Sequence, residues 1–223
     1  MTNYLIVFAL LAAIVNEIAE QKGKRIVVYI AKPAVMVFLL AWLYFYAGLD
    51  GPLIYFSLGI LFSLGGDVFL MLPNMDRWFV FGLASFLIGH IFYTVGLNYS
   101  IPPLNAFGIF LAISIALFVA QIYKRLAAGL HAKGKDRLRF PVLIYSVVIS
   151  LMWLSALQTI FDVNWKTNAS LLVSIGATLF VASDIVLAWF RFVSPIKHGR
   201  MINLSCYHLG QILLIVGAGL QFG

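Results

Sequence analysis

Six ionisable side chains stand inside otherwise apolar stretches of this chain: Glu17, Lys32, Asp67, His90, Asp184 and His208. Asp67 lies in "SLGGDVFLML" and Asp184 in "ASDIVLAW". An ionised carboxylate in hydrocarbon costs at least about 2.5–3.5 kcal/mol, so each aspartate either faces a polar space or is kept for its chemistry. A pair of carboxylates with a cation and two histidines allows three chemistries. The first is acid and base hydrolysis, with one carboxylic acid donating a proton while the other carboxylate handles water. The second is metal-assisted hydrolysis with aspartate and histidine ligands, but no HxxxH or HExxH spacing occurs and two histidines make a thin shell for zinc, so no metal is expected. The third is transport or proton relay, yet the chain has no pair of proline-broken helices in matching positions. A serine nucleophile lacks its GxSxG turn, and a retinal-type Schiff base lacks a late mid-helix lysine.

The elements that must position these groups are membrane helices. With 63% hydrophobic and 10% charged residues in 223, the composition is that of an integral membrane protein, and lipid forces such a backbone into helices. The expected fold is all-α, one transmembrane domain over 1–223. Its eight spans lie near 3–20, 26–48, 52–72, 77–98, 104–123, 139–161, 168–190 and 202–222. "GLDGP", "PNMDR", "NYSIPPLN" and "VSPIKHGR" read as the turns between them, and "YKRLAAGLHAKGKDRLRF" reads as a long basic loop that contacts anionic lipid. The first apolar segment runs into "NEIAEQKGKR" and reads as a retained helix rather than a signal peptide. The lone Cys206 excludes an internal disulfide.

The net charge of +7 comes from basic residues in short loops, which points to membrane orientation rather than to nucleic acid. The loops after the odd-numbered spans hold nearly all of them, from Lys22, Lys24 and Arg25 to Lys197 and Arg200, whereas the opposite loops hold only Lys166. Both termini are therefore expected on the non-cytoplasmic side of a bacterial inner membrane. Trp42, Tyr44, Tyr46, Trp165 and Trp78 read as an interfacial aromatic belt.

At about 1.5 Å per residue, Glu17, Lys32, Asp67, Asp184 and His208 fall in the cytoplasmic half of their spans, with His90 deeper. One cavity opening toward the cytoplasm accounts for all of them. Helical spacing supports it. Gly59, Ser63, Gly66 and Asp67 share a face of span three, and Ser174, Ala177, Val181, Asp184 and Ala188 share one of span seven. Span four offers Gly82, Ser85, Gly89 and Tyr93 beside His90, and span eight offers Asn203, Tyr207 and Gln211 beside His208. Asp67 and His90 are 23 positions apart and Asp184 and His208 are 24, a candidate parallel four-plus-four repeat that would bring the two aspartate helices face to face. The bland alternatives are that Lys32 snorkels, Glu17 caps span one and His90 bonds a core carbonyl.

The order "AKP", "GDVFLMLP", "FGLASFLIGHIFY", "ASDIVLA" and "YHLGQ" resembles the YhhN-like lysoplasmalogenase family along essentially the whole chain. The resemblance implies an ether hydrolase that cleaves the vinyl ether of a lysoplasmalogen to a fatty aldehyde and a glycerophospho-base, with no redox cofactor. Its partners would be a lysophospholipid substrate and membrane lipids. The positions it matches are Lys32, Asp67, His90, Asp184, Tyr207 and Gln211, and less closely Glu17 and His208. Asp67 and Asp184 are the expected catalytic pair. Lys32 would meet a carboxylate or the lipid phosphate, and His90, Tyr93, Tyr207, His208, Gln211 and Glu17 would complete the site.

Overall fold

The computed structural model describes residues 3–73, 75–99 and 106–223. The turns expected at 73–77 and 98–105 lie partly outside them. The described residues form eight helices and no strands: α1 (Asn3–Gln21), α2 (Arg25–Ala47), α3 (Leu53–Met71), α4 (Met75–Leu97), α5 (Ala106–Ala132), α6 (Arg139–Gln158), α7 (Thr167–Phe192) and α8 (Gly199–Phe222). All eight are long and apolar enough to cross a membrane. The shortest, at 19 residues, reaches about 29 Å, close to the thickness of the hydrocarbon layer.

The helices run up and down. At one end Arg200 at the start of α8 pairs with Glu20 near the end of α1. There too, Tyr29 in α2 donates to the Met71 carbonyl at the end of α3, and Lys133 after α5 reaches the Arg191 carbonyl in α7. This is the end that gathers the basic loops. At the other end Lys166 bonds Leu220 and Gln221, and the Trp165 ring packs edge-on against Phe222. Consecutive helices α1–α2, α3–α4 and α7–α8 form the closest pairs, the last being the most extensive.

Apolar surface gives no drive for helices to associate within lipid, so close backbone packing has to supply it. The α7–α8 seam does so at Gly176 and Gly210. A Cβ on Gly176 would stand 2.8 Å from the Gly210 carbonyl oxygen, and one on Gly210 would stand 2.9 Å from the Gly176 carbonyl oxygen. Around this seam the buried core is aromatic and branched, with Trp42, Phe56, Tyr93, Phe180, Leu39 and Leu214 fully enclosed.

Three expectations need correction. The basic segment read as a loop is mostly helix: α5 continues to Ala132, because Leu126, Ala127 and Leu130 are buried there beside Phe79 and Phe192. Trp42 and Trp165 are core residues rather than belt residues, whereas Tyr44 and Tyr46 remain exposed. Finally, α3 and α7 do not pack face to face: α3 packs mainly on α4, and α7 mainly on α8.

Candidate active site

Each aspartate anchors its own polar cluster. Asp67 is completely buried. It faces Lys32 Nζ, 2.9 Å from Oδ1, and Oδ2 accepts a 2.7 Å hydrogen bond from the Tyr207 hydroxyl. The sequence positions these groups through small residues on α3. The Tyr93 ring occupies the space a Cβ on Gly59 would need, and the Phe86 ring does the same at Gly66. Both α4 side chains are thus drawn against the aspartate's helix. One turn deeper on α8 than Tyr207, Gln211 accepts a 2.8 Å hydrogen bond from the Tyr93 hydroxyl.

Lys32 precedes Pro33 inside α2, where the ring leaves the Tyr29 carbonyl without its helical partner. The lysine side chain is 12% exposed, so it does not snorkel out to solvent. Its ammonium also lies 5.7 Å from the centre of the Tyr207 ring. Glu17 is not a cap: it accepts a 2.6 Å hydrogen bond from Ser205 on α8. That contact sets the register of α1 against α8. His208, one turn further along α8, and Asn16 are both buried, and neither their ring nitrogens nor the amide finds a hydrogen-bond partner among the described residues.

Asp184 builds the second cluster. Its Oδ2 accepts a short hydrogen bond from the Tyr145 hydroxyl on α6, and His90 Nε2 lies 3.0 Å from that hydroxyl and 3.7 Å from the same carboxylate oxygen. His90 therefore pairs with a side chain and not with a core carbonyl. Tyr145 escaped the sequence reading. The signal was present in "IYSVVIS", where Tyr145, Ser146 and Ser150 give span six a polar face at spacings of four and five.

An aromatic partition joins the clusters. The Tyr207 ring meets Phe86 and Phe180 edge-on at 5.8 and 5.3 Å. Phe180 also meets the His90 ring, at 4.7 Å. Tyr207, Phe180, His90 and Tyr145 thus form a chain of contacts from Asp67 to Asp184. Asp184, with 18% of its side chain exposed, opens onto an apolar slot between α4, α5, α6 and α7 whose walls include Phe86, Ile149, Val181, Leu126 and Leu70. The slot holds about 790 Å3 of unfilled space including its mouth. Among the described residues no three histidine, cysteine, aspartate or glutamate side chains cluster so as to hold a metal.

Fold and site together define a polytopic all-helical membrane protein with one buried carboxylate, Asp67, and a second, part-buried one, Asp184, beside an apolar slot. Residues 27–218 match the YhhN family, and the chain belongs to it. It is 30% identical over 159 residues to the lysoplasmalogenase TMEM86B of Mus musculus, covering 70% of this chain and 59% of that protein. It is 28% identical over 163 residues to the lysoplasmalogenase TMEM86A of Homo sapiens, covering 72% and 63%. A lysoplasmalogenase of Mycobacterium tuberculosis is 29% identical over 162 residues, covering 71% and 58%. The chain spans about three fifths of the length of these curated relatives. No solved structure matches it.

Proposed function

We propose that this protein hydrolyses the vinyl ether of lysoplasmalogens in a bacterial inner membrane, with its site open toward the cytoplasm and both termini on the other side. The observation that carries the reading is the unlike setting of the two aspartates. Asp67 is enclosed beside an ammonium at 2.9 Å, which suits it to face a developing positive charge, whereas Asp184 stands at the wall of an apolar slot within reach of a bound chain and takes the proton-donor role in this proposal.

A lysoplasmalogen whose chain fills the slot reaches Asp67 once the rings of Phe86, Phe180 and Tyr207 part, and its ether carbons then lie with the β carbon on the Asp184 side and the glycerol oxygen on the Asp67 side. Asp184 donates its proton to the β carbon, and the vinyl π electrons form the new C–H bond, leaving an oxocarbenium ion. The Asp67 carboxylate faces that positive charge and accepts a proton as water adds to the α carbon. The C–O bond of the hemiacetal then breaks. Asp67 returns its proton to the departing glycerol oxygen, and the hemiacetal hydroxyl gives its own proton to Asp184 as the aldehyde forms, which restores both carboxyl groups to their starting forms. The buried ring nitrogens of His208, which have no hydrogen-bond partner among the described residues, can anchor that water. Tyr145 and His90 aim the acid.

Aldehyde release from lysoplasmalogen by the purified protein in detergent tests this. Asp67→Asn and Asp184→Asn are each expected to slow release by about 10²–10⁴-fold. Release untouched by either change refutes the mechanism, and uptake into proteoliposomes without product replaces hydrolysis by transport.

A further inference from the structure

We propose that the basic hollow between the α1–α2 turn, the end of α3 and the start of α8 is the subsite for a zwitterionic phosphodiester headgroup. Arg25 and Arg200 would take the phosphate and Glu20 the ammonium. The inference rests on the lysolipid reading above and assigns the part of the ligand that reading leaves unplaced.

The hollow is a second cavity, separate from the slot, with about 1010 Å3 of unfilled space including its mouth. Its rim carries Arg25, Arg200 and Glu20, and its walls include Tyr29, Leu70 and Met71. Helical spacing identifies its floor. Lys32 stands four residues beyond Val28 and three beyond Tyr29 on α2, and Asp67 stands three before Leu70 and four before Met71 on α3. The Lys32–Asp67 pair therefore lies one helical turn beneath the hollow, which accounts for the residual exposure of Lys32. Tyr29 ties the two walls together through its hydrogen bond to the Met71 carbonyl.

Leu70 borders both the hollow and the apolar slot. A single molecule can thus lie with a charged end at the rim, a short polar link over Lys32 and Asp67, and an apolar chain past Leu70 into the slot. The rim chemistry selects the charged end. Two guanidinium groups match the oxygens of a phosphodiester. Glu20, paired with Arg200, adds a negative group at the distance scale of one neighbouring cation. A phosphoethanolamine or phosphocholine class headgroup can exchange the Glu20–Arg200 pair for a guanidinium–phosphate and a carboxylate–ammonium contact, whereas a singly anionic headgroup offers Glu20 no new partner and competes with it for Arg200. Left-handed His198, with φ of 57°, turns the chain into α8 so that Arg200 leads that helix at the rim.

Binding of non-cleavable saturated ether lysolipids to the full-length protein in detergent tests the subsite without requiring catalysis. Four probes are compared by native mass spectrometry: 1-O-alkyl lysophosphoethanolamine, the phosphoglycerol counterpart, 1-O-alkylglycerol without a headgroup, and water-soluble glycerophosphoethanolamine. The lysophosphoethanolamine is expected to bind about tenfold or more tighter than the alkylglycerol, and Arg25→Gln with Arg200→Gln to erase that gap while alkylglycerol binding stays unchanged. Glu20→Gln alone should shift preference toward the phosphoglycerol probe. The chainless phosphodiester should bind far more weakly than the lipid; equal binding would make this a site for the soluble phosphodiester and overturn the lipid assignment. A gap that survives the arginine changes, or one that vanishes instead in Arg191→Gln, whose guanidinium lies over the Phe79 ring, also overturns it. If the double variant does not fold, Arg25→Gln alone carries the test with the same readings. Absence of aldehyde from a cleavable substrate bears on the hydrolase reading, and these binding ratios bear on the subsite.

Discussion

Replacing Lys32 with methionine keeps the stem that packs in α2 and removes the charge that faces Asp67. In the wild type both partners are largely enclosed, with 12% and 1% of their side chains exposed. The variant leaves the carboxylate with the Tyr207 hydrogen bond at 2.7 Å and no counter-charge. Breaking a buried pair from one side costs about 3–5 kcal/mol. For a chain of this size that is about 6–20 °C in melting temperature, taking 2–4 °C per kcal/mol. Thermal unfolding in a fixed detergent, followed by intrinsic fluorescence, measures it. The double variant Lys32→Met with Asp67→Asn removes the stranded charge and should recover most of the loss. A Lys32→Met melting point within about 2 °C of wild type, or a double variant no more stable than the single one, would show that the pair is not an enclosed ion pair.

Tyr145→Phe severs the link between His90 and Asp184; aldehyde release should fall about 10- to 100-fold while lysolipid binding holds, and an unchanged rate would remove Tyr145 from the site. Gly210→Ala forces a methyl group to 2.9 Å from the Gly176 carbonyl oxygen and should destabilise by about 1–3 kcal/mol, read as a lower melting temperature. A chelator should leave aldehyde release unchanged; loss restored by added metal would replace the carboxylate mechanism. For orientation, a periplasm-dependent phosphatase fused after Gly223 should be active, whereas one placed at residue 134 should be silent.

The fold was readable because the apolar spans have one way to satisfy their backbones, and turn residues punctuated them at the right intervals. The end of α5 was not readable: Lys124 and Arg125 suggest a loop, and only the packing of Leu126 and Leu130 beside Phe79 and Phe192 keeps the helix going. Within the site, the interior faces of α3, α4 and α8 followed from small-residue spacing, and Ser63, Asp67, His90, Tyr93, Tyr207 and Gln211 are all buried as that spacing requires. Which groups touch across helices was not written in any one segment. Tyr145 meets Asp184 because α6 packs beside both α4 and α7, and Phe180 links the two clusters because its ring meets both Tyr207 and His90. Likewise, tryptophan type alone could not tell a belt position from Trp42, whose ring fills the space beside Gly219.

The contact between Gly176 and Gly210 makes α7 and α8 a single girder, with Asp184 on one rail and Tyr207 on the other. Since the Tyr207 hydroxyl holds Asp67, the separation between acid and base is set by this girder and not by the outer wall. A chain sliding in sideways must then push aside α5, whose flank faces lipid over most of its length. We expect backbone amides of α5 to exchange with solvent deuterium faster than those of α7 and α8, and equal protection would place the gate elsewhere.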